Sequence, residues 1–299
     1  MEDEPVFATV IGDRRFDDRL PDITPEGRLR SQRRYEAILR RCRDVKAETL
    51  SPPERLTHSA LYEELTSVLD HISSGLDEWT VDPLQGVQVE FMNMESIQPI
   101  RSVKEGRAML ARWRAIGPFF DSYVVNLQRG MGKRKVPVRV CVEKVVDELE
   151  GILARPEAEW AFMRPAAVEH SDWPEAERTS FRYGIADAVR DSVKPGYARF
   201  LRFLKSEMLA RARPPDKPGI MHLPDGRHTY AHLIKLHTSL NLTPEELHQT
   251  GLKEVARING EISTVRGPRE PSGRRCQGSP HKRRPAPSRW RSARRSSPG

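Results

Sequence analysis

Thr243-Pro244-Glu245-Glu246-Leu247-His248-Gln249-Thr250-Gly251-Leu252-Lys253-Glu254-Val255-Ala256-Arg257-Ile258 spells out a helix from its first residue. Thr243 supplies an N-cap hydroxyl, Pro244 occupies the first helical position, where a missing N–H costs nothing, and Glu246 completes a capping box. Leu247, Gly251, Leu252, Val255 and Ile258 then recur at helical spacing. The same grammar opens other segments. Ser51-Pro52-Pro53-Glu54 precedes Leu56, Leu61, Leu65, Val68, Leu69 and Ile72, and Thr24-Pro25-Glu26 starts another helix. Between Val136 and Leu153, Val138, Cys141, Val142, Val145, Leu149 and Ile152 share one face. The stretch Val103 to Gln128 predicts two helices meeting near Gly117-Pro118. Phe181 to Arg213 predicts another pair, broken at Lys194-Pro195-Gly196, with Tyr197, Phe200, Leu201, Leu204 and Leu209 beyond the break. Val87-Gln88-Val89-Glu90-Phe91 alternates and predicts an extended segment, whereas Pro214 to Gly219 is a stiff loop. The fold class is all-α, an irregular multi-helix array.

Helical periodicity stops near Glu261-Ile262. From Val265 to Gly299 the chain holds ten Arg, one Lys and a single acid, Glu270, with six Pro, six Ser and four Gly. This stretch carries +10, while residues 1–264 carry 39 basic against 41 acidic side chains, so the total of +8 belongs to the tail. Such a composition buries too little apolar surface to offset the entropy of ordering, and disorder is expected for 265–299. As a genuine arm it would bind polyanions. Arg, Pro, Ser, Gly and Ala are also the residues that a GC-rich coding sequence yields out of frame. The division is therefore 1–264, a helical body, and 265–299, a basic Arg/Pro/Ser tail.

No apolar run approaches the ~18 residues of a membrane span. Met1-Glu2-Asp3-Glu4-Pro5 is acidic and lacks the basic, then apolar, start of a secretory signal. Cys42, Cys141 and Cys276 are scattered, which fits a reducing cytoplasm and neither a disulfide frame nor a cysteine zinc site.

Five of nine histidines fall between Met221 and Gln249. His228 and His232 stand four apart, the spacing of a zinc-binding pair on a helix, but Thr229 occupies the position where a zincin carries its catalytic glutamate. No third ligand lies at a recognisable spacing, so the pair reads as a His-rich surface helix. Gly130-Met131-Gly132-Lys133 lacks the first glycine of a phosphate loop and reads as a helix end. There is no G-x-S-x-G elbow. Glu63-Glu64 and Glu148 with Glu150 read as solvated helix faces, and Lys133-Arg134-Lys135 as a solvated helix start.

Several blocks together resemble one family, the bacterial proteins grouped as domain of unknown function (DUF) 885. They are Ile11 to Asp22 with Thr24-Pro25-Glu26; Leu50 to Leu56; Val136 to Glu143; and Val193-Lys194-Pro195-Gly196-Tyr197 through Phe203-Leu204. The resemblance continues over Leu223-Pro224-Asp225-Gly226, Tyr230, His237-Thr238 and Leu242 to Ile258, spanning about residues 5–262. It implies a mostly helical, zincin-type zinc metallopeptidase whose H-E-x-x-H motif lies in the C-terminal half, beyond the last matching block. No histidine here begins that motif. No catalytic or metal residue is carried over; Tyr230, His237 and His248 match family positions and are candidates to face a cleft.

The reading that follows is a truncated N-terminal fragment of a DUF885-like metallopeptidase, inactive alone. It has no cofactor of its own, zinc being expected only in full-length members. Self-association would run through an exposed apolar face contributed by the aromatics of Tyr197–Phe203 and by the helix from Pro244 to Ile258. The alternative is a stand-alone helical interaction module whose basic tail binds nucleic acid or another polyanion; neither reading includes a membrane. Deleting 265–299 should take the net charge from +8 to −2 and leave the melting temperature within a few degrees. A larger fall, on the order of 1 kcal/mol or more, would mean that the tail packs.

Overall fold

The computed structural model describes residues 2–266. The chain divides into two units, Met1–Glu246 and Leu247–Gly299. The helices are α1 (Pro5–Val10), α2 (Pro25–Asp44), α3 (Pro52–Ser74), α4 (Val87–Ile97), α5 (Val103–Gly132) and α6 (Arg139–Leu153), then α7 (Arg164–Ala167), α8 (Glu175–Ala188), α9 (Lys194–Phe203), α10 (Leu209–Arg211), α11 (Gly226–Thr238) and α12 (Pro244–Arg266). Among the described residues the β-type pairing is a single parallel bridge between Val138 and Arg213. The all-α expectation holds.

The caps read from sequence form. Gly27 N–H donates to Thr24 Oγ1 at 3.0 Å, and Ser51 N–H donates to Glu54 at 2.8 Å. At α12 the box closes in both directions: Thr243 N–H donates to Glu246 at 2.8 Å and Glu246 N–H to Thr243 Oγ1 at 3.2 Å. Hydrogen bonds from Thr243 hold the Glu246 carboxyl below the usual carboxylate range.

The 30-residue helix α5 is the axis of the first unit. It is continuous, not two helices, and the reason lies 75 residues away. Pro118 has no N–H for the Arg114 carbonyl. The Ser192 hydroxyl donates to that carbonyl instead, at 2.7 Å, and accepts from Gly117 N–H at 3.1 Å. The two backbones meet there. A Cβ on Gly117 would lie 2.8 Å from the Ser192 carbonyl oxygen, and one on Gly196 3.0 Å from Gly117 Cα.

The break expected at Lys194-Pro195-Gly196 is likewise absent. Two π-helical turns, Val189–Val193 and Leu204–Met208, join α8, α9 and α10 without interruption. Lys194 N–H reaches back five residues to Val189 O, a wider winding that absorbs the proline. Val87–Phe91 is not extended either. It opens α4, whose Phe91 meets Phe119 and Phe120 edge-on at 4.9 and 5.6 Å. Burying Phe91 and Met94 on one helical face outweighs a five-residue alternation.

The aromatics of Tyr197–Phe203 are not an exposed face; Tyr197, Phe200 and Phe203 are buried. Phe200 stacks on Phe120 at 5.4 Å, and Tyr197 OH donates to Gln88 O at 2.7 Å. Lys133-Arg134-Lys135 ends α5 rather than starting a helix. Its Lys133 sits 2.6 Å from the buried carboxylate of Glu78. The second unit's described part is the remainder of α12, along which Leu252, Val255, Ile258 and Ile262 are exposed. The expectations for the tail fall outside the described residues, save that α12 runs on to Arg266.

Arg112 carries the other joint. Fully buried on α5, it donates to the carbonyls of Arg19 (2.9 Å), Phe16 (2.7 Å) and Pro5 (3.3 Å), to Thr9 Oγ1 (3.0 Å) and to Gln98 Oε1 (2.8 Å). Asp17, also buried, lies 3.9 Å from it and accepts from Thr9 at 2.6 Å. Burial pulls the Arg112 pKa down to about 10, which leaves it charged at neutral pH. Arg112→Met should cost about 3–5 kcal/mol, because several carbonyls and the Gln98 amide oxygen lose their charged donor inside the fold, although Asp17 keeps Arg14 at 3.0 Å. Thermal unfolding should move down by roughly 10 °C; an unchanged midpoint would show the network to be dispensable.

Candidate functional site

α3 begins at its Ser51 cap and α11 at Gly226, and the two pack side by side. Between them runs a groove of about 280 Å3. α3 lines it with Glu63, Glu64, Ser67 and Asp70, and α11 with His232 and Lys235, Ser239 following at its C-terminal end. Glu63 and Asp70 are seven residues apart, so two helical turns put both on one face. The groove therefore sets carboxylates on one wall against an imidazole and an ammonium on the other. That arrangement suits a small polar ligand bearing both signs of charge.

His232 is half-buried in the groove. Its Nδ1 lies 3.9 Å from Asp70 Oδ2, and its Nε2 is buried without a hydrogen-bond partner. His71, beside Asp70 on α3, has its pKa pushed down, first by burial and then by the charges of His232, His237 and Arg28. Arg28 pairs with Asp77, and burial lowers its pKa.

The residues singled out from sequence distribute as follows. His228 is exposed and His232 lines the groove, so the pair four apart does not share one environment. Thr229 is buried and donates to Asp225 O at 3.1 Å, a local helical contact. Tyr230 and His237 are exposed on α11. His248 is exposed and lies in the second unit. Among the described residues, no group of three or more His, Cys, Asp or Glu is arranged to hold a metal ion. Sequence reading passed over Asp70 and His71. The signal was their seven-residue spacing from Glu63 and Glu64, but nothing in sequence says which helix faces that stripe. Glu63 and Glu64 are exposed, as a solvated face requires, yet they border the groove.

The model of a family described as "Bacterial protein of unknown function (DUF885)" matches residues 5–273. No curated protein matches the chain. Among solved structures, a candidate lipoprotein from Colwellia psychrerythraea superposes with a TM-score of 0.75 at 18 % identity, over 89 % of this chain and 49 % of that one. At that identity the likeness is one of fold. The chain spans about half the length of the structure it matches.

The purified chain, dialysed and analysed for metal, should hold no stoichiometric zinc. One tightly bound zinc, lost on changing His228 and His232 to Ala, would overturn this reading of α11.

Proposed function

The chain belongs to the DUF885 family, and from that premise we propose that its helical body is the N-terminal, non-catalytic half of a zincin-type metallopeptidase scaffold. The observation that carries the reading is the asymmetry of the structural match, which takes up 89 % of this chain but only 49 % of its neighbour. In this reading the zinc ligands and the water-activating glutamate belong to the other half, and residues 1–264 do not cleave peptides by themselves. The exposed stripe Leu252, Val255, Ile258 and Ile262 on α12 supports it, because such a stripe is the kind of surface a further helix covers. Cytoplasmic residence stays part of the proposal, on the free thiols of Cys42 and Cys141; the lipoprotein description belongs to the neighbour.

One observation favours the second reading, a helical interaction module with a basic arm. Tyr197, Phe200 and Phe203, which an open half would expose, are buried within the first unit. Two measurements separate the readings. With zinc added, the purified chain should give no turnover of a mixed peptide substrate above a zinc-only control; turnover would sink the non-catalytic reading. At moderate salt, residues 1–264 should self-associate or bind a hydrophobic dye if they are half of a scaffold. A monomeric, dye-negative and cooperatively folding body would make the module the better account.

A further inference from the structure

α12 is a helix fixed at its start and bare along one side. Its capping box closes between Thr243 and Glu246, and its 23 residues carry it to Arg266, a length of about 34 Å. Leu247, Gly251, Val255, Ile258 and Ile262 fall within an arc of about 80° on such a helix, with Leu252 beside it. Leu252, Val255, Ile258 and Ile262 are each about half exposed. Gly251 sits inside the stripe, where a Cβ would meet nothing within 4 Å. A glycine in mid-helix weakens the helix relative to alanine, and among the described residues no contact calls for this one.

We propose that α12 is a self-association helix, its apolar stripe covered by the α12 of a second copy lying antiparallel to it. The stripe has nearly the same spacing read from either end. Turned end for end, a second copy sets its Ile262 against Leu247 and its Ile258 against Gly251, and the two Val255 side chains meet at the axis. The gap at Gly251 is then the hole in which a branched Ile258 side chain seats. Charge selects the same direction. Glu245 and Glu246 lie in the first turn, whereas residues 265–299, which begin in the last turn and include Arg266, hold ten Arg. An antiparallel pair brings each basic end beside the acidic first turn of the other copy; a parallel pair would set acid on acid and base on base. Because the cap orders the helix beforehand, less entropy is lost on pairing. The inference rests on the half-scaffold reading in one respect: it takes the stripe as a face that a helix covers, and names the second copy as the cover.

Sedimentation equilibrium of the full chain at moderate salt, from about 1 μM to about 1 mM, tests this. A monomer–dimer equilibrium is expected. Ile258→Asp, on the stripe, should weaken the dimer roughly tenfold or more, while Ala256→Asp, on the far side of α12, leaves it unchanged. Both positions are exposed, so melting of either variant should match that of the parent chain. A benzophenone side chain in place of Ile262 should, on irradiation, attach near Leu247 of the other copy. Within one helix those positions are about 22 Å apart, so that product reports on two chains. A chain monomeric throughout, a dimer that Ile258→Asp and Ala256→Asp affect alike, or attachment at position 262 of the other copy would each overturn the pairing. A monomeric chain that still binds a hydrophobic dye would overturn the pairing and leave the half-scaffold reading standing.

Discussion

The first unit depends on two helical backbones being allowed to touch. At the crossing of α5 with the α8–α9 segment, Gly117 and Gly196 leave no side chain between the chains, and Ser192 bonds to both sides of the proline defect. Without that hydroxyl the Arg114 carbonyl would lose the hydrogen bond that replaces the one the proline denies it, worth about 0.5–1.5 kcal/mol. Without the glycines the helices would stand further apart, and Phe120 would lose its stack on Phe200. A proline in mid-helix is tolerated because a residue remote in sequence supplies what it lacks. A turn and a half earlier on the same helix, Arg112 gathers the N-terminal segment by its carbonyls.

The blocks by which the chain resembles its family prove to be joints of this scaffold. Ile11 to Asp22 is the segment wrapped around Arg112, with Asp17 beneath it. Val193 to Leu204 contains Gly196 and the aromatics that meet α5. Val136 to Glu143 is tied to Arg213, whose Nε donates to Val136 O at 2.8 Å and whose carbonyl accepts from Arg139 N–H at 2.8 Å. These three segments of the chain are thus places where backbone groups find partners remote in sequence.

What could be read from sequence was local. Thr24, Ser51 and Thr243 announce their helices because a cap and the groups it satisfies lie within four residues. Pro118 could not be read correctly, since its remedy comes from Ser192. The alternation at Val87–Phe91 was true of the sequence but too short to outweigh the burial of Phe91 and Met94. The groove was half legible. His232 stood out on α11, whereas Asp70 and His71 acquire meaning only once α3 is laid against it, a pairing about 160 residues apart in the chain. The burial of Tyr197–Phe203 followed from the same kind of long-range fact.

The π turns are also a matter of timing. Phe181, Ile185, Val189, Val193 and Tyr197 are all buried and stand four residues apart. In an α-helix each step of four overshoots a full turn by about 40°, so four steps would swing the stripe by roughly 160° and carry Tyr197 away from α5. A turn that winds more residues takes part of that drift back. Phe200, Leu204 and Met208 repeat the pattern across the second such turn. Each wide turn works as a leap day, one surplus residue that keeps a four-beat stripe in phase with its partner helix. A chain shortened by one residue within Val189–Val193 could wind as ordinary α-helix and still deliver the aromatics after it nearly in phase, because the residue removed is the surplus one that the wide turn takes up.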